Sequence, residues 1–274
     1  MSYPGEAAVS VYLKALTRLR PGEGYPMRLF DRIERVEFTT PVTLLAGDNG
    51  CGKTTLVELL ANKVAAVRID RAELTEDMRR APVEAAANSF RVAMGQKPAR
   101  AFFFHAEGFI RYIDSVNRMK DEARRDLERA DRESEGRSAF ARNQARMAYA
   151  GSLDALSGLY ENDLSARSHG EGFLDFFGAR LIDRGLYLLD EPEAALSPFN
   201  QYVLLAMIAD AVKRGCQFVI STHAPVLLAC PSARILAFEN GALAETRFDE
   251  LAGVRFLRDF LANTARYVSQ IERE

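Results

Sequence analysis

The chain has 274 residues and a net charge of −2, with acids and bases interspersed along its length. That length can hold one large α/β domain or two small ones, and the charge balance excludes a strongly basic nucleic-acid module while leaving room for a local patch. Three cysteines without a Cys-x-x-Cys pair argue against a disulfide framework or zinc site; with no leader pattern and no apolar run long enough for a bilayer, a soluble cytoplasmic protein is expected.

Residues 7–46 read as short strands broken by Pro and Gly, from "AAVSVYLKALTRL" through "IERVEF" to "PVTLLAG". Thr54–Val67 reads as a helix, with Leu56, Leu59, Leu60, Val64 and Val67 on one stripe. "ARAFFFHAEG" is a compact apolar run and reads as a buried strand. Residues 115–150 are charge-laced and helical, with acid-to-base pairs at Asp121–Arg125, Glu128–Arg132 and Glu133–Arg137. Two further buried strands, "GLYLLDE" and "CQFVISTHAP", flank a helix over Pro198–Lys213. The strand "ARILAFENG" then precedes a helical tail from about Phe248. This β-α alternation favours a mostly parallel sheet covered by helices.

The strongest motif is "GDNGCGKT", which fits G-x-x-x-x-G-K-[ST]. An apolar strand, Val42–Ala46, runs in and an amphipathic helix runs out. The residues Gly47, Asp48, Asn49, Gly50, Cys51, Gly52, Lys53, Thr54 and Thr55 are therefore the expected nucleotide cradle. Its glycines let backbone N–H groups wrap the phosphates, and the helix N-terminus adds positive potential. Lys53 neutralises the terminal phosphates and Thr54 ligates Mg²⁺. A phosphate loop requires an acid at the end of another buried strand. "GLYLLDEP" supplies Asp190 for the Mg²⁺ shell and Glu191 to polarise a water. A third strand end, "VISTHAP", carries His223 one helix further on, whereas His105 and His169 read as structural.

Taken together with the phosphate loop, Asp190-Glu191, "EAALSP" and "STHAP" resemble the nucleotide-binding domain of ABC-type ATPases. The likeness is to compact stand-alone members of the SMC- and RecF-like branch, often labelled AAA family ATPases. The resemblance implies one P-loop NTPase domain over residues 1–274. It would have a mostly parallel central sheet, an N-terminal antiparallel β subdomain, a helical lid over about 110–172 and a C-terminal tail over about 248–274. "SHGEGF" would be the signature: Ser168, Gly170 and Glu171 would touch the ATP of a partner subunit in a head-to-tail homodimer. Gly172 would allow close approach, and a helix would begin near Phe173. Ala194–Ser197 would be the D-loop, Glu191 the catalytic base and His223 the γ-phosphate sensor.

Two departures from the family pattern stand out. The signature is not Leu-Ser-Gly-Gly-Gln, and no Q-loop glutamine follows "AFFF". His105, Ala106 and Glu107 occur there, so Glu107 is the stand-in metal ligand. The charged segment lacks sustained heptads, which argues against a coiled-coil arm and for a solvated lid.

The resulting expectation is an ATP hydrolase that uses Mg²⁺, dimerises on ATP and drives or gates a nuclease or other effector in DNA metabolism or defence. Nucleic acid is a further candidate partner for the lid arginines. Two alternatives remain: the ATPase subunit of a membrane transporter, and a nucleotide-gated module without turnover.

Overall fold

The computed structural model describes residues 11–68, 74–133, 147, 169–239 and 241–272. A seven-stranded sheet runs through its centre. Its strands are β3 (Val42–Ala46), β4 (Val67–Arg68), β6 (Ala101–His105), β7 (Leu186–Asp190), β8 (Gln217–Ser221), β9 (Arg234–Glu239) and β10 (Ala242–Thr246). The spatial order is β10-β9-β3-β8-β7-β6-β4, parallel except for β10, which returns antiparallel along β9. A separate antiparallel sheet joins β1 (Leu13–Arg18), β2 (Arg35–Glu37) and β5 (Phe90–Met94). The mostly parallel sheet and the antiparallel N-terminal subdomain are thus both present.

Period-two alternation explains why the sheet is buried on both faces. Tyr187 and Leu189 of β7 point into one core with Phe102, Phe104, Phe218 and Ile220. Leu186 and Leu188 point into the other, with Phe103, Val219 and Leu236. Helices α4 (His169–Gly178), α5 (Pro198–Lys213) and the short α6 (Pro225–Leu228) cover the first face through Phe173, Phe177, Leu204, Ile208 and Leu227. Helix α1 (Lys53–Lys63) covers the second through Leu56, Leu59 and Leu60, backed by Leu13, Leu16 and Phe90. One buried amide ties the two sheets together. Gln217 accepts from the N–H groups of Tyr12 and Leu13, both at 2.8 Å, and donates to the Leu13 carbonyl at 3.0 Å. The remaining helices are α2 (Leu74–Ala87), α3 (Ala106–Glu133), α7 (Ala252–Ala262) and α8 (Thr264–Ile271).

Several expectations need correction. The helix after the phosphate loop stops at Lys63, because Ala65 turns into the left-handed region at φ 50°; Val67 pairs with Phe102 as strand instead. Helix α4 already includes His169, ahead of the start expected near Phe173. On α3, Asp121 meets Arg124 at 3.4 Å, and the Arg132 guanidinium donates to the Glu128 carbonyl oxygen. Arg137 and most of the segment read as a lid lie outside the described residues, and β5 and β10 were not anticipated. Among the described residues, no helix is long and apolar enough to cross a membrane.

Candidate functional site

The parallel strands β3, β6, β7 and β8 end on the same edge of the sheet, the place where open α/β sheets hold ligands. Past Ala46 the chain turns through the phosphate loop into α1. Gly47 has φ 140°, and a Cβ there would stand 3.0 Å from Cys51 Sγ and from Phe238 Cβ. Gly52, at φ 114°, sits immediately before α1, and a Cβ there would press on Leu29 at 3.3 Å. Side chains at either position would therefore deform the loop. Lys53 is only 3% exposed, and its ammonium donates to the carbonyls of Gly47 at 3.0 Å and Asp48 at 2.9 Å. The loop thus holds a buried positive charge at its centre. Thr54 and Thr55 follow in the first turn, while Asp48, Asn49 and Gly50 remain exposed.

Register aligns the acidic strand end with its neighbours. His105 lies beside Asp190 across β6–β7, and Asp190 beside Ser221 across β7–β8. Asp190 is fully buried; its Oδ1 accepts from Ser221 Oγ at 2.7 Å. Its Oδ2 has no hydrogen-bond partner among the described residues and faces His105 Nε2 at 3.4 Å. Burial pushes the Asp190 carboxyl above the usual range, Glu191 adds to the rise, and His105, Ser221 and Thr54 oppose it. A buried carboxylate oxygen that makes no hydrogen bond, with a threonine hydroxyl beside the same carboxyl, suits a hard divalent cation that keeps much of its water shell. Among the described residues no cluster of three His, Cys, Asp or Glu side chains gathers as a metal cage. Thr54 and Asp190 are accordingly the candidate ligands.

Glu191 is the next residue, and its backbone is left-handed at φ 46°, ψ 49°. Such a conformation costs a non-glycine residue about 1–3 kcal/mol and persists where neighbours enforce it. Here its N–H donates to the Ser221 carbonyl at 2.9 Å and its carbonyl accepts from Ala194 N–H at 3.0 Å. The twist brings Glu191 Oε1 to 3.6 Å from His223 Nε2, with both groups partly open to solvent.

The sequence alone reads His105 as structural, yet it occupies the position opposite Asp190. Its Nδ1 accepts from Gly108 N–H at 3.2 Å, which leaves Nε2 to carry the proton toward Asp190 Oδ2. The side chain of Glu107, the expected stand-in ligand, lies outside the described residues, as do Ser168 and the His169 side chain. Gly170 and Glu171 fall in the first turn of α4. A Cβ on buried Gly170 would meet Asn200 Nδ2 at 2.7 Å and the Ala195 carbonyl at 3.0 Å, so this glycine lets α4 pack against the Ala194–Ser197 segment. Beside Gly47, Asp48 and His223 opens a cavity of about 290 Å³, lined also by Phe238 and by Arg255 of α7.

Residues 62–229 match the family model described as "AAA domain, putative AbiEii toxin, Type IV TA system", and residues 27–62 match a second AAA-domain model. Similar solved structures include an SMC head domain from Pyrococcus furiosus bound to the C-terminal domain of ScpA; it is 12% identical at a TM-score of 0.48, over 91% of this chain and 99% of that one. The SMC head domain of Thermotoga maritima is 15% identical at 0.44, over 86% and 99% of the two chains. A nucleotide-free ATP-binding cassette of an ABC transporter is 17% identical at 0.47, over 86% and 92%. No curated protein matches the chain. With the phosphate loop, the buried acidic strand end and a family model spanning more than half its length, the chain belongs to the AAA-domain family.

Proposed function

We propose that the chain binds ATP with Mg²⁺ and hydrolyses it to ADP and phosphate. It acts as a head-to-tail dimer in the cytoplasm that drives or gates an effector, a nuclease being one class, and residues 1–274 form one such domain. The observation that carries this reading is the convergence of Lys53, His105, Asp190, Glu191 and His223 on one sheet edge, with the buried Asp190 Oδ2 making no hydrogen bond among the described residues and lying 3.4 Å from His105 Nε2.

In this reading Lys53 and the loop N–H groups bind the terminal phosphates, aided by the N-terminus of α1. Thr54 and Asp190 hold Mg²⁺, which, when bound, neutralises phosphate charge. Glu191 takes the proton of the attacking water, a role that suits a carboxylate open enough to reach solvent. His223 senses the γ-phosphate, and its Nε2 stands 3.6 Å from Glu191 Oε1. His105 holds the inner oxygen of Asp190 from the opposite strand. The first turn of α4, with Ser168 before it, closes on the partner subunit's nucleotide; Gly170 and Glu171 are the assigned contacts. Its packing on the segment after Glu191 supports a link between that contact and the catalytic edge.

The test is phosphate release by the wild-type protein, with size-exclusion chromatography of Glu191→Gln in ATP and Mg²⁺. Mg²⁺-dependent release and a dimeric Glu191→Gln peak are expected. No release by the wild type overturns the hydrolase. A monomeric peak at saturating ATP overturns the dimer.

A further inference from the structure

The reading above leaves one carboxylate without a role. Glu193 lies in the 3-10 turn Pro192–Ala195, two residues past Glu191, with its side chain directed back across the sheet edge. Its Oε1 accepts from the backbone N–H of His223 at 2.5 Å and from that of Ala224 at 3.2 Å. Ala224 N–H is also shared with Thr222 Oγ1 at 3.0 Å. The second oxygen, Oε2, is buried with no hydrogen-bond partner among the described residues. Glu193 as a whole is half-buried, but leaving one carboxylate oxygen buried and unpaired carries a cost that a neutral polar residue would lessen. Its compensation is visible in the contacts: the chain end of β7 is strapped to the chain end of β8 through two charge-assisted hydrogen bonds.

We propose that Glu193 is a positioning residue. It fixes the backbone of His223, and so the separation of His223 from Glu191, and it ties that pair to the packing of α4. The mechanical route is short. Gly170 in the first turn of α4 abuts the Ala195 carbonyl; Ala195 belongs to the same 3-10 turn as Glu193; and Glu193 holds the His223 amide. A displacement of the α4 terminus therefore reaches His223 through one rigid turn rather than through the sheet. The same turn carries the left-handed Glu191 at its start, so both members of the Glu191–His223 pair are set by it.

The strap can be tested without assuming any activity, because the chain contains three histidines. Protein labelled with ¹⁵N at histidine alone gives backbone amide signals for His105, His169 and His223, assigned with His223→Gln. In the wild type the His223 amide should lie downfield and exchange slowly. In Glu193→Ala it should move upfield and exchange about tenfold faster or more, the scale of a charge-assisted hydrogen bond. Glu193→Gln keeps an acceptor oxygen and should restore much of both. Should Glu193→Ala fold poorly, Glu193→Asp, shorter by one methylene, must displace the same signal. The kinetic arm rests on the ATPase reading. There, Glu193→Ala should lower kcat about tenfold with the ATP KM within about twofold, and Glu193→Gln should recover turnover. A His223 amide unchanged by Glu193→Ala overturns the strap. A displaced amide with unchanged kcat overturns the positioning role. Absence of hydrolysis by the wild type contradicts the ATPase alone, and the amide signals still decide the strap.

Discussion

The floor and the rim of the strand-end site are built differently. On the floor, Lys53 and Asp190 are buried and held by fixed partners: the loop carbonyls for the ammonium, Ser221 for the carboxylate. On the rim, Glu191 and His223 are partly open to water and meet each other at 3.6 Å, on loops held by a left-handed backbone, by backbone hydrogen bonds and by the Glu193 contacts. Buried fixed charges suit binding, since they need no reorganisation when an opposite charge arrives. A carboxylate that must gain and lose a proton needs access to water, so the chemistry belongs on the rim. Floor and rim should therefore fail differently when altered.

The largest effect is expected at the rim. Glu191→Gln removes the proton acceptor and should lower kcat about 10²–10⁴-fold while ATP affinity changes by no more than a few-fold. Steady-state kinetics beside equilibrium binding will check this, and a parallel loss of affinity would erase the distinction. On the floor, Lys53→Ala should weaken ATP binding about 10–100-fold, the worth of a charge-assisted contact, with the melting temperature little changed. Wild-type affinity in that variant would remove Lys53 from the site.

Next in size come effects on the frame that holds the site. Gly170→Val forces side-chain atoms against the Ala195 carbonyl and Asn200, and should destabilise the protein by about 1–3 kcal/mol in denaturant titrations. Tyr187→Phe should cost about 1–3 kcal/mol, because the Ile182 N–H loses its acceptor at 2.8 Å and the Arg180 carbonyl its donor at 3.0 Å. Burial pushes the Tyr187 phenol from 10.0 up to about 12. Folding thus favours the neutral form, and its contribution is full below pH 10 and lost as pH rises from 10 to 12. Wild-type stability should accordingly fall more steeply over that window than that of Tyr187→Phe.

Much of the floor was legible in the sequence, because each part is a local pattern: a glycine-spaced loop after an apolar run, and acids at the end of "LYLL". Helix α5 was legible for the same reason, with Ser197 and Pro198 at its start and Ser197 Oγ accepting from Asn200 N–H at 3.3 Å. His105 was missed because its meaning depends on register: only the pairing of β6 with β7 sets it opposite Asp190. Glu193 was missed similarly, since its partners are some 30 residues away in sequence. The early start of α4 is hidden in the sequence by Gly170 and Gly172, poor helix formers; at Gly170 the lack of a side chain permits the packing against Ala195 and Asn200. For β10 a local signal does exist, the Asn-Gly pair at 240–241 between the residues that pair as Glu239 and Ala242, which is the sequence of a tight hairpin.

The central claim is that the floor is a nucleotide and metal site, and calorimetric titration of ATP into Glu191→Gln, with and without Mg²⁺, tests it most directly. The account predicts saturable binding that Mg²⁺ tightens, with the Mg²⁺ dependence lost when Asp190→Asn is added. Binding indifferent to Mg²⁺, or unchanged by Asp190→Asn, would contradict it.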